Sequence, residues 1–392
     1  MDITIAPIAR SRALNQALRL LDETYASPRV RAFPRYLGVT ITGDCNIKCL
    51  YCERQRGANV RDYYFPTGLY EKLAPYFNTA RRVTLLGLGE SFMHQDFEKM
   101  VRMAKAAGAE CITTTNVTML GDRARRMLVE IGLDYIGLSV DSPDPATFEK
   151  LRAGAKFERV VGNIRALRDL KRELGRDRPH YGLCMTVCRD NVTHIPNMVR
   201  FAAELGAVDL HLQNVVLYRQ GDAAWSVFGT RRMDVMVKRA RKLAQQLGLG
   251  LFYVPRDPFT PEFAPEGKMS PEVKEGRACR EAWTQMLVYD NGEVRPCCFT
   301  AETFGNLHRE GVEEIFHGAR AEDFRRRIRE GRLPSACVDC GYLIERDAGL
   351  ARQRLARARA MLDELEEEER ALLAEAIAEA KAELSRTGYP LT

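Results

Sequence analysis

Residues 36–52 read YLGVTITGDCNIKCLYC and join an apolar, β-rich run to three closely spaced cysteines, Cys45, Cys49 and Cys52. The run at 36–42 is typical of a strand, so the cysteines stand at its carboxyl end. Zinc in a structural site takes four protein ligands, and three thiolates leave that coordination incomplete. An iron–sulfur cube fits the number better, because three thiolates hold three irons and the fourth iron stays open for an outside ligand.

Downstream of this stretch, β-rich runs alternate with amphipathic helical patterns as far as about residue 254. The runs predict strands at 36–42, 82–86, 110–115, 135–140, 180–187, 209–215 and 249–254. The helical pattern DFEKMVRMAKAAG places Phe97, Met100, Val101 and Ala104 on one face. Repeated βα units imply an α/β fold with a parallel sheet and right-handed crossovers, either open or closed toward a barrel. Sites on such sheets lie at the carboxyl ends of the strands, where the three cysteines stand.

The composition indicates the class of protein, its cellular location and the kinds of partner it can bind. A hydrophobic content of 45% and a charged content of 29% over 392 residues are typical of a globular protein with more than one domain. No apolar run approaches the roughly 20 residues that span a bilayer. The amino terminus, MDITIAPIARSR, lacks an apolar signal core, so we expect a cytoplasmic protein. The net charge of +6 is compatible with an anionic substrate and too small to indicate nucleic acid as a partner.

Eleven cysteines in a reducing compartment indicate metal binding rather than disulfides. Besides the first three, a group of five lies downstream: Cys279, Cys297, Cys298, Cys337 and Cys340. Between the first two of these, MLVYDNGEVRPCC predicts a hairpin whose Asn291-Gly292 pair is typical of a type I′ turn. Four thiolates that include a CxxC pair can hold zinc or a [4Fe–4S] cluster, and ligand chemistry alone leaves both open.

Changes in composition and in predicted secondary structure divide the chain into four predicted parts. Residues 1–35 carry one helical pattern, RALNQALRLLDETYA, and residues 36–255 carry the βα units. Residues 256–345 begin with a linker, because five prolines between 255 and 271 would interrupt any helix or central strand, and continue with the cysteine-rich segment. Residues 346–392 are rich in Leu, Ala, Glu and Arg and are predicted to form a helical tail.

The tail has five apolar residues at roughly heptad spacing: Leu355, Leu362, Leu365, Leu372 and Ala376. The spacing fits a helix that packs on its own protein, and it also fits a helix that mediates binding to a partner or self-association.

The pattern Cys45-x3-Cys49-x2-Cys52, with Tyr51 before the last cysteine, resembles the signature of the radical S-adenosylmethionine (SAM) superfamily. The resemblance implies a partial (β/α)6 barrel and a [4Fe–4S] cluster, held by these three cysteines, whose open iron binds the amino and carboxylate groups of SAM. Electron transfer then cleaves SAM to a 5′-deoxyadenosyl radical, which abstracts hydrogen from a substrate. It also implies a reducing protein such as flavodoxin or ferredoxin as a partner.

The same resemblance implies contacts to SAM at other positions. The stretch Gly87-Leu88-Gly89-Glu90 is similar to the family's glycine-and-glutamate motif near the SAM amino group, where small residues let backbone carbonyls approach a ligand. The further candidates are Tyr51 for the adenine, Asn116, Ser139 and Asp141 at strand ends, and Arg152 for a carboxylate. For these polar residues a capping, loop or packing role is the alternative.

The downstream cysteines lie in NGEVRPCCFTAETFGNLHREGVEEIFHG and CVDCGY, which resemble the C-terminal SPASM/twitch extension of radical SAM enzymes. That resemblance implies a small α+β domain with an auxiliary [4Fe–4S] cluster on Cys279, Cys297, Cys337 and Cys340. No cysteine follows Cys340, which matches the shorter twitch form. Cys298 is then a spare, either a small buried hydrophobe or a ligand in place of Cys297.

An auxiliary cluster with four thiolates has no open iron for a substrate, so we expect it to accept or relay an electron. Family uses are redox modification of a small alcohol, sugar or cyclitol, and maturation of a ribosomal peptide by thioether formation, epimerisation or crosslinking. About 35 residues precede the first strand, too few for a leader-binding domain, which favours the small molecule.

Two further interpretations remain from the sequence. Cys184 in a predicted strand, Cys188 just beyond it and Cys298 near the auxiliary cluster are candidates to return a hydrogen atom to a product radical, although a structural role is the alternative for each. A non-catalytic zinc-binding interaction protein on a βα scaffold is the remote alternative to an enzyme.

Overall fold

The computed structural model describes residues 11–56, 62–217, 220–253, 277–298, 300–334, 337, 344–345 and 348–387. Its strands are β1 Tyr36–Thr42, β2 Lys48–Cys49, β3 Arg82–Gly87, β4 Glu110–Thr115, β5 Tyr135–Ser139, β6 Arg152–Ala153, β7 His180–Val187, β8 Asp209–Asn214, β9 Gly250–Tyr253, β10 Arg277–Ala278, β11 Gln285–Val288, β12 Glu293–Arg295, β13 Gly305–Asn306 and β14 Ile344–Glu345. Its α-helices are α1 Arg12–Tyr25, α2 Glu53–Arg56, α3 Thr67–Leu73, α4 Phe97–Ala106, α5 Asp122–Ile131, α6 Pro145–Leu151, α7 Phe157–Glu173, α8 Ile195–Leu205, α9 Arg231–Leu247, α10 Glu281–Thr284, α11 Val312–His317, α12 Ala319–Arg329, α13 Ala348–Ala360 and α14 Glu367–Thr387.

In the described part of the chain, ten strands form one sheet in the order β13-β12-β11-β1-β3-β4-β5-β7-β8-β9. From β1 to β9 every neighbouring pair is parallel. The strands follow one another in chain order, so right-handed crossovers place the intervening helices on the same face of the sheet. The predicted α/β fold of partial-barrel type, followed by a cysteine-rich segment, is confirmed.

The two faces of the sheet differ in chemistry. Val39, Leu85, Ile136 and Leu183 alternate along their strands with polar or small residues and are fully buried under the helices. The opposite face, which we call the inner face, carries half-buried or exposed residues such as Thr114. Because side chains alternate along a strand, the helices cover the apolar set and leave the polar set facing the hollow of the partial barrel.

Three strands of the cysteine-rich segment join the main sheet. Strand β11 pairs in parallel with β1, with Tyr36 opposite Gln285 and Val39 opposite Val288, and β12 and β13 continue outward as antiparallel neighbours. This pairing covers the edge of β1 that the barrel would otherwise leave open. The small ladder of β10 with β14 joins the two ends of the segment.

The hairpin between β11 and β12 is confirmed, but the predicted type I′ turn is wrong. That turn requires a positive φ at both central residues, and only Gly292 has one, at +79°. The amide of Gly292 donates to the carbonyl of Tyr289 at 2.9 Å, and the amide of Tyr289 donates to Glu293. The loop is therefore of the three-residue kind, closed by a left-handed glycine.

The tail packs on its own protein. Helices α13 and α14 lie against α1, and Leu365, Leu373 and Ile377 share a buried cluster with Leu14 and Leu21. A break between the two helices, at 361–365, shifts the apolar face by one position. Leu372, predicted at a heptad position, is consequently 53% exposed, whereas its neighbour Leu373 is fully buried.

Among the described residues, no helix is long and apolar enough to cross a bilayer. The proline-rich linker and Cys340 lie outside the described residues.

Candidate functional site

The loop that carries the first three cysteines is fixed at both ends. Strand β1 leads into it, and the short ladder of β2 with β6 sets Cys49 opposite Arg152. The amide of Leu50 donates to the carbonyl of Leu151 at 2.9 Å, and the amide of Cys52 donates to the carbonyl of Cys49 at 3.1 Å. The cysteine loop is thereby held against the end of α6, the helix that follows β5.

Each thiol of the loop is half-buried and has a hydrogen-bond donor directed at its sulfur. The amides of Ile47 and Arg54 donate to Cys45 and Cys52. Asn116 Nδ2 lies 3.7 Å from the sulfur of Cys45, and the guanidinium of Arg152 lies 3.9 Å from that of Cys49. Donors of this kind favour the thiolate, which is the form that binds metal.

Burial opposes these donors in the metal-free protein. It raises the pKa of Cys49 to about 11 and raises the pKa of Cys45 and Cys52 as well. In the part of the chain that the structure describes, no three His, Cys, Asp or Glu side chains converge at single-ion distances. Three thiolates can each bind a different iron of a cube, so the donor set fits a [4Fe–4S] cluster.

The glycines after β3 are required by the backbone of the cysteine loop. A Cβ on Gly89 would collide with the carbonyl of Asp44, and one on Gly87 would lie 2.5 Å from the carbonyl of Thr42. The amide of Gly89 donates to Thr42 at 3.0 Å, and the amide of Glu90 donates to Asp44 at 2.7 Å. The segment leading to Cys45 therefore lies directly on this glycine pair.

The carboxylate of Glu90 is buried and occupied by protein donors. It accepts from Thr115 Oγ1 at 2.6 Å, from the amide of Asn116 at 2.7 Å and from the amide of Phe92 at 3.3 Å. Burial raises its pKa. Glu90 thus joins the carboxyl ends of β3 and β4 and orients Asn116 beside Cys45.

Asp141 and Arg152 form a buried pair rather than two separate ligand contacts. Arg152 Nε lies 2.6 Å from Asp141 Oδ2, which also accepts from the hydroxyl of Tyr51, and the amide of Thr186 donates to Oδ1 at 2.7 Å. Burial lowers the pKa of Arg152, but Asp141, Tyr51 and Cys49 together raise it well above its usual value. The pair fixes the charge of Arg152 next to the cysteine loop.

Ser139 differs from the other predicted SAM contacts. It ends β5 on the inner face, is half-buried, and its hydroxyl has no hydrogen-bond partner among the described residues. Of the predicted set, it is the side chain most available to a ligand.

Ser139 begins a row of neighbouring side chains that crosses the inner face from β5 to β9. Ser139 lies opposite Cys184, Cys184 opposite His211, and His211 opposite Phe252. Below this row Asp209 contacts Tyr135 and His211. The sequence analysis missed His211, Asp209, Tyr135 and Phe252, although the alternation in DLHLQN and LGLFY is the signal that separates this face from the buried one.

Cys184 and Cys188, two of the three candidate hydrogen-donor thiols, have different surroundings. Cys184 is half-buried on the inner face, and burial raises its pKa to about 12, so it remains a thiol at neutral pH. Cys188 is buried among Leu151, Val215 and Leu217. Cys188 is therefore a buried core residue, whereas Cys184 remains a candidate hydrogen donor.

The structure brings Cys279 and Cys297 together in the cysteine-rich segment. The amides of Glu281 and Ala282, at the start of α10, donate to the sulfur of Cys279. Burial, together with the nearby Cys297, raises the pKa of that thiol to about 12. Cys337 is also buried, whereas Cys298 is exposed, so the prediction of Cys298 as a buried hydrophobe is wrong. Cys340 lies outside the described residues.

The two cysteine groups lie at opposite ends of β1. Cys45 follows its carboxyl end, whereas Cys279 precedes α10 and β11, which begins opposite Tyr36. Cys297 follows β12, which runs back toward that same amino-terminal edge. A strand of this length spans about 20 Å, which is the order of the separation between the groups.

Comparison with known proteins places this arrangement among iron–sulfur enzymes. Residues 39–202 match the family model of the radical SAM superfamily, and residues 279–341 match that of SPASM, an iron–sulfur cluster-binding domain.

Three similar proteins cover most of the chain. The tungsten-containing aldehyde ferredoxin oxidoreductase cofactor-modifying protein of Pyrococcus furiosus is 26% identical over 334 residues, 78% of this chain and 87% of the relative. The AdoMet-dependent heme synthase of Methanosarcina barkeri is 26% identical over 330 residues, 79% of this chain and 89% of the relative. The structure of anSMEcpe with bound AdoMet has a TM-score of 0.57 at 18% identity, over 89% of this chain and 100% of that chain, and shows the shared fold.

Proposed function

We propose a reaction for this chain, which belongs to the radical SAM superfamily and carries a SPASM iron–sulfur domain: two-electron oxidation of a hydroxyl-bearing small molecule. Its cofactors are a SAM-binding [4Fe–4S] cluster, SAM itself and auxiliary iron–sulfur. When bound, these supply an electron that cleaves SAM, a radical that abstracts hydrogen and an acceptor for the second electron.

Within this proposal, Cys45, Cys49 and Cys52 hold the SAM-binding cluster. The hydrogen-bond donors at each sulfur support this. Auxiliary iron–sulfur is assigned to the second group, Cys279, Cys297, Cys337 and Cys340. The proximity of Cys279 to Cys297 supports that part, and Cys298 is left outside the set because it is exposed.

The remaining predicted contacts divide into two groups. Ser139 and the backbone at Gly87 and Gly89 are proposed to meet SAM, because they end strands beside the cysteine loop. The others are proposed to position that loop through their mutual hydrogen bonds: Tyr51, Glu90, Asn116, Asp141 and Arg152.

The observation that carries the choice of substrate is the chemistry of the inner face. Ser139 and Thr114 present hydroxyl groups toward the hollow of the partial barrel, and His211 presents an imidazole from farther along the same face. These groups support a substrate rich in hydroxyl groups, such as a sugar or cyclitol, since hydroxyl and imidazole groups can both donate and accept hydrogen bonds.

The names of the two curated relatives support a small molecule over peptide maturation, because both act in cofactor chemistry. They also favour a second candidate, modification of a ring-bearing cofactor precursor. Phe252, 53% exposed on the inner face, offers such a ring a stacking surface.

The test uses the anaerobically reconstituted full chain with a chemical reductant and SAM. Formation of 5′-deoxyadenosine is measured alone and with glycerol, methyl α-D-glucopyranoside or myo-inositol, none of which carries a carbonyl group, and any carbonyl product is trapped as a hydrazone. Carbonyl formed in step with 5′-deoxyadenosine is the expected result. If 5′-deoxyadenosine forms and no carbonyl appears with any alcohol, the oxidation is excluded and the cofactor precursor becomes the leading candidate.

Cys184 gives the proposal an internal check. In a redox-neutral reaction the Cys184→Ala variant would lose product, since the thiol would return a hydrogen atom. In the proposed oxidation, carbonyl formation by this variant stays within about twofold of wild type, because no hydrogen atom is returned. Cytoplasmic placement and reduction by flavodoxin or ferredoxin belong to the same proposal.

A further inference from the structure

A compact group of titratable side chains lies on the inner face away from the cysteine loop. The hydroxyl of Tyr135 donates to Asp209 Oδ1 at 2.7 Å, and His211 Nε2 lies 3.3 Å from the same oxygen. The three residues come from β5 and β8, with β7 between them. Their meeting therefore requires the side chains to cross over an intervening strand.

Glycine residues make that crossing possible. Gly182 on β7 lies between Gly137 and Asp209 in the sheet register, and a Cβ at Gly182 would collide with both the carboxylate of Asp209 and the hydroxyl of Tyr135. On the other side of Asp209, a Cβ at Gly250 would lie 2.9 Å from the Asp209 Cβ. The sheet thus leaves room on both sides of Asp209 for its carboxylate to lie flat between Tyr135 and His211.

The imidazole of His211 is the exposed member of this group. Its side chain is 44% exposed, against 13% for Asp209, and it stacks on Phe252 with ring centroids 4.7 Å apart. Through Cys184 it shares a row with Ser139, which is next to the Asp141–Arg152 pair beside the cysteine loop. His211 therefore faces the same hollow as the proposed SAM contact, from the neighbouring part of the wall.

The partners of His211 determine which ring nitrogen is available. A carboxylate beside Nε2 favours the proton at that nitrogen and leaves Nδ1 as an acceptor, which is how a carboxylate orients the histidine of a hydrolase triad. Burial, together with the hydrogen bond to Asp209, raises the pKa of Tyr135. Tyr135 consequently remains a donor and holds Asp209 in place.

We propose that His211 is the catalytic base that accepts the hydroxyl proton of the substrate at Nδ1, with Asp209 and Tyr135 as positioning residues. This inference rests on the proposed alcohol oxidation. The carbon–hydrogen bond breaks by loss of a hydrogen atom to the SAM-derived radical. The O–H bond then breaks as its proton passes to His211, the C=O bond forms, and the remaining electron goes to an iron–sulfur acceptor. The substrate loses two electrons and two protons in total.

The chain supplies a matched control at His180. Its Nε2 also lies 3.3 Å from a carboxylate, that of Asp177, and its side chain is 38% exposed. It begins β7 opposite Tyr135, outside the row of Ser139, Cys184 and His211. A general effect of losing an exposed, carboxylate-paired histidine would appear equally in both variants.

The experiment compares wild type, His211→Gln and His180→Gln, with glycerol, methyl α-D-glucopyranoside and myo-inositol as probes. The readout is the ratio of trapped carbonyl to 5′-deoxyadenosine. Loss of a general base predicts that this ratio falls about 100-fold in His211→Gln and stays at the wild-type value in His180→Gln. Formation of 5′-deoxyadenosine itself should persist in both variants, which shows that the fold and SAM cleavage are intact.

A second readout separates catalysis from packing. In His211→Ala, added imidazole should restore carbonyl formation, because a free base can take the place of the missing ring.

The possible results distinguish failure of the proposed base from failure of the proposed reaction. An unchanged ratio in His211→Gln, an equal fall in His180→Gln, or no rescue by imidazole overturns the role of His211 alone. No carbonyl from wild type overturns the alcohol oxidation and the base together, and no 5′-deoxyadenosine from wild type overturns the proposed function at its first step.

Discussion

At the scale of single residues, the buried Asp141–Arg152 pair is the contact that links the sheet to the cysteine loop. Both side chains were expected to contact SAM because they follow a strand end. In the structure they neutralise each other, and Tyr51 and Cys49 lie against the same two groups. Sequence position predicted that these residues belong to the site. It did not predict their pairing, because the position of Arg152 depends on the ladder of β6 with β2, which joins segments about 100 residues apart.

Arg152→Met should lower the free energy of unfolding of the metal-free chain by about 3–5 kcal/mol, because it leaves the buried carboxylate of Asp141 without its partner. Urea unfolding followed by circular dichroism measures this. The exposed ion pair of Lys99 with Glu71 provides the control, and Lys99→Met should cause no measurable change. Equal midpoints for the two variants would show that the buried pair contributes nothing to stability.

Gly89→Ala should reduce the iron bound at the first site, because its Cβ would collide with the Asp44 carbonyl and displace the segment leading to Cys45. Iron analysis after reconstitution should show a loss approaching the roughly four irons of one cube. Gly68→Ala is the matched control, since nothing lies within 4 Å of the added Cβ. Full iron content in Gly89→Ala would mean that the loop tolerates the shift.

At the scale of elements, the periodicity of the sequence predicted the strands and helices that depend only on residues close together in the chain. The seven predicted strands, now β1, β3, β4, β5, β7, β8 and β9, and helix α4 follow the expected bounds within a residue or two, since alternation and helical spacing are local signals. The two-residue strands β2 and β6 were not predicted. The pairing of β11 with β1 was not predictable, because it joins segments about 250 residues apart and no spacing rule covers it. The group of Tyr135, Asp209 and His211 was missed for the same reason. Its residues come from β5 and β8, and they meet over Gly182 of the intervening strand β7.

The tail offers two adjacent leucines with opposite environments. Leu373→Ala should destabilise the protein by about 2–5 kcal/mol, because the side chain is fully buried against α1 and its loss leaves a cavity. Leu372→Ala, at a largely exposed position, should change the free energy of unfolding by less than about 0.5 kcal/mol. Chemical unfolding of both variants measures the difference. A larger effect at Leu372 would restore the predicted heptad face and indicate a partner helix.

At the scale of the whole molecule, the chain places two cysteine groups at opposite ends of one strand pair, with the polar inner face beside the first. The register of β11 with β1 ties the two groups into one sheet, so their separation is set by strand length. The proposed division of labour follows from this layout, with hydrogen abstraction at the carboxyl ends of the strands and electron acceptance at the amino ends.

The most direct test of this account compares anaerobically reconstituted wild type with a variant in which Cys45, Cys49 and Cys52 are all replaced by Ala. The account predicts roughly eight irons per wild-type chain and roughly four in the variant. It also predicts a surviving cluster signal in the EPR spectrum of the reduced variant and complete loss of 5′-deoxyadenosine formation. SAM cleavage by the variant would contradict the assignment of the first site, and a variant without iron would contradict an auxiliary cluster held by the second group.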